Sequence, residues 1–110
     1  MRPENERICN DPYAEFFLPD QVIHSQDRNE QIRQAITNWE TQFPGVSNAI
    51  VARTRFIDDG LEAAIVNGIR QLVILGAGYD TRAMRFNALK ESVTVFELDH
   101  PSTQSKKLER

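Results

Sequence analysis

Cysteine occurs once among the 110 residues, at Cys9. No internal disulfide can form, and a metal site built on cysteines is excluded. Proline and glycine occur five times each, too sparsely for a collagen-like or proline-rich disordered chain. Basic charge is also short: 13 Lys and Arg stand against 16 Asp and Glu, a net charge of −3. Nucleic-acid binders usually carry a basic patch or stripe. The balance therefore argues against that function, and Lys106-Lys107 reads as a solvated helix face. No apolar run approaches the roughly 20 residues of a membrane span. The opening "MRPENERICN" is charged and lacks the apolar stretch of a signal peptide. The expectation is a single cytoplasmic domain with no membrane span and no nucleic-acid partner.

What is present is an ordinary globular pattern, organised as helices first and strands second. "NDPYAEFFL" reads as a short helix, with Asp11 as cap, Pro12 at the first helical position, and Tyr13, Phe16 and Phe17 on its apolar side. Pro19 ends it. A second helix starts near Asp27, where Asp27 and Glu30 have capping-box spacing. Ile32, Ile36, Trp39 and Phe43 then recur at helical spacing until Pro44-Gly45, and this stripe is expected to be core. Ser47 is placed to cap a third helix running toward Gly68, with Ile50, Ile57, Leu61, Ala64 and Ile65 on its apolar face and a kink expected at Asp58-Asp59-Gly60.

"QLVILGAG" is a continuous apolar run closed by glycines, the pattern of a strand covered on both faces. Asp80 or Thr81 can cap a helix reaching about Leu89, and "VTVFELD" gives a second strand over Val93–Leu98. Ser102 starts a last helix. A strand, a crossover helix and a strand form a right-handed parallel unit. The expected fold is thus α/β: a helical lead-in over 1–69, then a βαβ unit over 70–110, with strands near 71–75 and 93–98.

Two glycines in three positions, Gly76 and Gly78, follow the first strand. In doubly wound sheets such a turn lets the backbone approach a ligand at a helix N-terminus. An acidic residue at the tip of the next strand, about 20 residues on, then binds ribose hydroxyls. Asp99 stands 21 residues after Gly78. Its two oxygens suit a ribose diol, and Glu97 shares its strand parity. Thr81 occupies the place of the third glycine of a dinucleotide fingerprint, which weakens a pyrophosphate reading. A plain strand-to-helix turn is the competing account of Gly76 and Gly78.

"VARTRFIDDGLEAAIVNGIRQLVILGAGYDTRAMRF" followed by "VFELDHPSTQSKKLER" resembles the leucine carboxyl methyltransferase family of S-adenosylmethionine-dependent methyltransferases. Within it, the chain is most similar to the bacterial and archaeal O-methyltransferases. "ICNDPYAEFF" matches the family's Asp-Pro-Tyr segment, and "RTRFIDD", "LGAGYDTR" and "ELDHP" are specific in combination. The resemblance implies a Rossmann-like class I methyltransferase sheet, of which this chain would supply the N-terminal part. It implies S-adenosyl-L-methionine as cofactor, with Arg53 pairing the methionine carboxylate, Gly76 and Gly78 forming the cofactor turn, and Asp99 holding the ribose. Where many methyltransferases of this fold have an acidic residue before the turn, this chain has Ile74 and Leu75.

The acceptor implied is a small-molecule or protein carboxyl or hydroxyl group. No residue is assigned a catalytic role and no metal is called for; His100 reads as part of the turn at the strand tip. Arg55, Arg82 and Arg85 read as surface or interhelix charges. Two other readings stay open: a non-catalytic cofactor-binding or interaction module, and a nucleotide-dependent oxidoreductase. Since the family's later strands and substrate pocket have no counterpart here, the 110 residues alone are expected to be inactive and to self-associate through an open sheet edge.

Overall fold

The computed structural model describes residues 7–109. The described chain divides into two compact units: Leu18–Asp59 with residues 7–10, and residues 60–109 with Asp11–Phe17. The expected order of helices, then strand, helix and strand, is met.

In the first unit, α1 (Asp20–Ile23) follows directly on Pro19, which serves as its N-cap residue. Pro19, expected to end one helix, thus also begins another, because its fixed φ suits a helix start. α2 (Arg28–Gln42) starts after Asp27, but no capping box forms. Instead the Ser25 hydroxyl accepts from the Asp27 amide at 3.2 Å. Ile36, Trp39 and Phe43 are exposed, Trp39 by 59%, so the expected core stripe is a correction. Burial needs an opposing element, and among the described residues the main packing partner of α2 is the single turn of α1.

α3 (Val46–Val66) is one continuous helix through Asp58-Asp59-Gly60. Gly60 does not take a positive φ there, so its backbone continues the helical ladder. Ser47 lies inside the helix. The carboxylate of Glu40 does the capping, accepting from the Gly45 amide at 2.5 Å and the Ser47 amide at 3.3 Å. The Gly45 amide foremost, then the Ser47 hydroxyl and amide, hold Glu40 below the ordinary carboxylate range, against the opposing effect of desolvation. Arg55 pairs with Asp59 at 2.7 Å, four residues along the same helix, with both side chains about half exposed. As a surface i,i+4 pair it contributes only a few tenths of a kcal/mol.

In the second unit, β1 (Gln71–Leu75) and β2 (Thr94–Leu98) pair in parallel, with Gln71 opposite Thr94 and Leu75 opposite Leu98. Between them the single expected helix is broken into α4 (Arg82–Arg85) and α5 (Asn87–Ser92), with Phe86 extended at φ −93°, ψ 101°. The break turns Leu89 inward, where it is fully buried. α6 (Pro101–Leu108) follows β2 and begins at Pro101, capped by the His100 ring.

The strands alternate in burial along their length. One face, Leu72, Ile74, Val95 and Glu97, is half-buried. The other carries Val73, Leu75, Phe96 and Leu98, all exposed, Leu75 by 76%. Parallel strands usually have both faces covered; here the expected two-sided cover is one-sided.

Candidate functional site

The turn after β1 is built from two glycines in the left-handed region, which most side chains disfavour. Gly76 has φ 63° and Gly78 φ 49°, and among the described residues positive φ is confined to glycine. A side chain at such angles costs roughly 1–2 kcal/mol. Ala77, between them, is buried, and its amide donates to the Leu98 carbonyl at 3.1 Å. The turn is thereby stitched to the end of β2. A Cβ placed on Gly76 would meet nothing within 4 Å, and one on Gly78 would meet the Asp99 carboxylate at 3.8 Å. The outer side of the turn is open, and its near neighbour is the acid at the strand tip.

Asp99 closes the arrangement. Its Oδ2 accepts from the Gly78 amide, and its Oδ1 from the His100 amide at 2.5 Å. These two bonds, the Gly78 one foremost, hold the Asp99 carboxyl below the ordinary aspartate range, against a smaller opposing effect of desolvation. A carboxylate has about four lone-pair sites, so one acceptor site per oxygen remains for hydroxyl groups. Glu97, which shares its parity, is otherwise engaged: Lys107 Nζ donates to both its oxygens at 2.7 and 2.9 Å. Parity left the choice between the two acids open, and the ion pair separates them.

Lys107 is a correction. Its side chain is only 11% exposed, and Nζ also donates to the Asp80 carbonyl at 2.6 Å. A residue read as solvated charge on α6 instead ties that helix to β2 and to the glycine turn. Lys106, beside it, is exposed as expected.

The whole sequence, residues 1–110, matches the leucine carboxyl methyltransferase family. The chain belongs to that family. Among curated relatives, a protein of Mycolicibacterium vanbaalenii is 41% identical over 96 residues, covering 86% of this chain and 32% of the relative. One from Mycolicibacterium paratuberculosis is 34% identical over 100 residues, 86% of this chain and 31% of the relative. One from Streptomyces coelicolor is 51% identical over 57 residues, 52% of this chain and 20% of the relative. All three are named as S-adenosyl-L-methionine-dependent methyltransferases. The chain spans between a fifth and a third of their length.

Of the residues that the family resemblance singled out, Gly76, Gly78 and Asp99 come together in the second unit. Arg53 lies on α3 in the first unit with an exposed side chain. His100 caps α6: its Nδ1 accepts from the Ser102 amide at 3.3 Å and lies 2.8 Å from Ser102 Oγ. That is a role in the turn, as expected. Arg82 pairs with the Asp80 carboxylate, and Arg85 lies over the Phe86 ring at 4.8 Å.

Sequence reasoning missed Asp11 and Phe17 as parts of this site. Asp11 is expected as a cap, and its Oδ1 does accept from the Tyr13 amide at 3.0 Å, ahead of a single 3-10 turn at Ala14–Phe17. Its Oδ2 accepts from the Thr81 hydroxyl at 2.6 Å. The Phe17 ring stacks on Tyr79 with centroids 4.6 Å apart. The only signal available was the family's Asp-Pro-Tyr segment, which marks the residues without saying what they touch.

Proposed function

We propose that the chain is the N-terminal, cofactor-binding portion of an S-adenosylmethionine-dependent O-methyltransferase, with β1 and β2 the first strands of a Rossmann-like sheet. The observation that supports this most is the Gly78–Asp99 bond. It sets an open glycine turn beside a carboxylate with acceptor sites to spare. The residues fit the cofactor: there is room over Gly76, where a Cβ would meet nothing within 4 Å, and a carboxylate for a ribose diol.

S-adenosylmethionine supplies a methyl group activated by a sulfonium sulfur. Asp99 takes the ribose hydroxyls through its remaining lone pairs. Gly76 and Gly78 keep the turn bare of side chains, so the backbone lies close to the bound molecule. Arg53 is the proposed partner of the methionine carboxylate, on the strength of the family resemblance and of the two-donor fork that guanidinium offers a carboxylate. Methyl transfer to oxygen depends chiefly on positioning. A carboxylate acceptor needs no base, whereas an alcohol or phenol does; carboxyl and hydroxyl acceptors, on a small molecule or a protein, both fall within the proposal.

A nucleotide-dependent oxidoreductase is disfavoured by Thr81. It is 2% exposed with its hydroxyl committed to Asp11, where a dinucleotide fingerprint has a glycine that lets helix and strand pack closely. The exposed sheet face favours one second reading, a non-catalytic interaction module. Calorimetry on the purified full-length protein carrying these residues tests the proposal. S-adenosylhomocysteine is expected to bind and NADH not to, with Asp99→Ala weakening S-adenosylhomocysteine roughly ten- to a hundred-fold through lost charge-assisted bonds. Preference for NADH, or equal affinity in the variant, overturns the assignment. Binding without methyl transfer to any carboxylate or phenol tried favours the module.

A further inference from the structure

Four consecutive residues of the glycine turn are each held by a side chain from a different place in the sequence. The Gly78 amide is held by Asp99, the Tyr79 ring by Phe17, the Asp80 carbonyl by Lys107, and the Thr81 hydroxyl by Asp11. Two of the four holds come from residues 11–17, which group with the second unit although they precede the helical segment 18–59 in sequence. This short segment is a strap over the turn.

The Asp11–Thr81 bond is the most telling of the four. A threonine at a helix N-cap normally turns its oxygen onto its own helix, accepting from an amide of the first turn. Thr81 is the N-cap residue of α4, yet its side chain makes no capping bond. Its hydroxyl is donated instead to Asp11, 70 residues away in sequence, at 2.6 Å. The capping falls to Asp80, whose Oδ1 accepts from the Arg82 amide at 2.8 Å. Thr81 is almost wholly buried, so its bond to Asp11 ties the end of the turn to the segment 11–17. On the other side Asp11 is itself oriented, because its Oδ1 accepts from the Tyr13 amide across the rigid Pro12.

A turn with two glycines at positive φ has much conformational freedom to lose. Fixing it before the ligand arrives removes that cost from binding. We propose that Asp11 is a positioning residue for the cofactor turn, acting through the Thr81 hydroxyl to hold Gly76–Thr81 in its ligand-ready shape. The inference rests on the assignment of this turn to S-adenosylmethionine.

The test uses the purified full-length protein carrying this sequence, with S-adenosylhomocysteine titrated by calorimetry. Asp11→Ala and Thr81→Val are each expected to weaken binding roughly tenfold, the loss of one charge-assisted bond. The double variant should be no weaker than the poorer single, because both remove the same contact. Thr81→Ser keeps the hydroxyl and should bind within about twofold of the unaltered protein, while Thr81→Val does not; a role confined to overall stability predicts unchanged affinity in Thr81→Val at a temperature where it stays folded. Amide exchange across 76–81 in the unliganded protein should quicken in Asp11→Ala and Thr81→Val. If Asp11→Ala does not fold, the Thr81→Val and Thr81→Ser pair decides. Unchanged affinity in Thr81→Val, additive losses, or a Thr81→Ser as weak as Thr81→Val overturns the inference while the cofactor assignment stands. An unaltered protein that fails to bind S-adenosylhomocysteine overturns the cofactor assignment, and this inference with it.

Discussion

The backbone amide of Gly78 donates to Oδ2 of Asp99, joining the end of the glycine turn to the tip of the second strand. The bond depends on the parallel register, which sets Leu75 opposite Leu98 and so ends both strands at the same level. It depends equally on the glycine turn that presents the amide, in which Gly76 and Gly78 take positive φ. One contact thus uses the strand pairing, the turn and the acid together.

That bond sets a pH dependence. The amides of Gly78 and His100 favour the ionised carboxylate and lower the folded-state pKa of Asp99. A group whose pKa is depressed on folding contributes stability above its unfolded value, and loses it as pH falls through the folded one. Asp99 is therefore expected to remain ionised below the ordinary aspartate midpoint, with its contribution intact at neutral pH and lost only in acid. An NMR titration of the side-chain carboxyl checks this. A midpoint at or above the ordinary aspartate value contradicts it.

The glycines make a prediction about stability. Gly76→Ala meets no steric neighbour within 4 Å, so its cost is confined to the backbone, about 1–2 kcal/mol at φ 63°. Gly76→Asn is expected to cost less, because asparagine enters the left-handed region more readily. Urea unfolding of the three proteins checks the order. Equal stability of Gly76→Ala and the unaltered protein would mean that the turn relaxes to another conformation.

Lys107 makes another. Lys107→Met removes the partner of Glu97 and the donor to the Asp80 carbonyl. Glu97 is then left partly buried and unpaired, at a cost of about 1–3 kcal/mol. Adding Glu97→Gln should recover part of the loss, since removing both charges is less harmful than stranding one. A double-mutant cycle by denaturant unfolding measures the coupling. A coupling near zero would show that the pair behaves as a solvated one.

The exposed sheet face predicts association. Val73 with Phe96, and Leu75 with Leu98, are opposite pairs in register and exposed together. Apolar surface collected on one sheet face favours contact with another molecule. Residues 1–110 expressed alone are expected to sediment as concentration-dependent assemblies, and Leu75→Lys with Phe96→Lys to shift them toward monomer. A monodisperse monomer at high concentration goes against this expectation.

Much of the fold was legible because it is written in local chemistry. The glycine stops and the apolar run "LVIL" mark β1, and "VFEL" marks β2 and, through it, the acid at its tip. The spacing of Gly78 and Asp99 was readable because a βαβ unit returns its second strand beside the first. Burial was not legible in the same way. Helical periodicity shows that Ile36, Trp39 and Phe43 share a face, but an opposing surface decides whether that face is covered, and here it is open.

The sequence by itself determined the broad order of helices, then strand, helix and strand, and the glycine turn, from residue types a few positions apart, and the candidate ribose acid from its place at the tip of the returning strand. Only the tertiary structure decided what holds that turn. Asp11 meets Thr81, Phe17 meets Tyr79, and Lys107 meets Glu97 and Asp80. Each of these pairs forms because folding brings together segments whose separation along the chain carries no local signal. The same reason turned Lys107 from a presumed surface charge into a nearly buried tie. A lysine's role is set by which carboxylate or carbonyl folding brings within reach of its ammonium group.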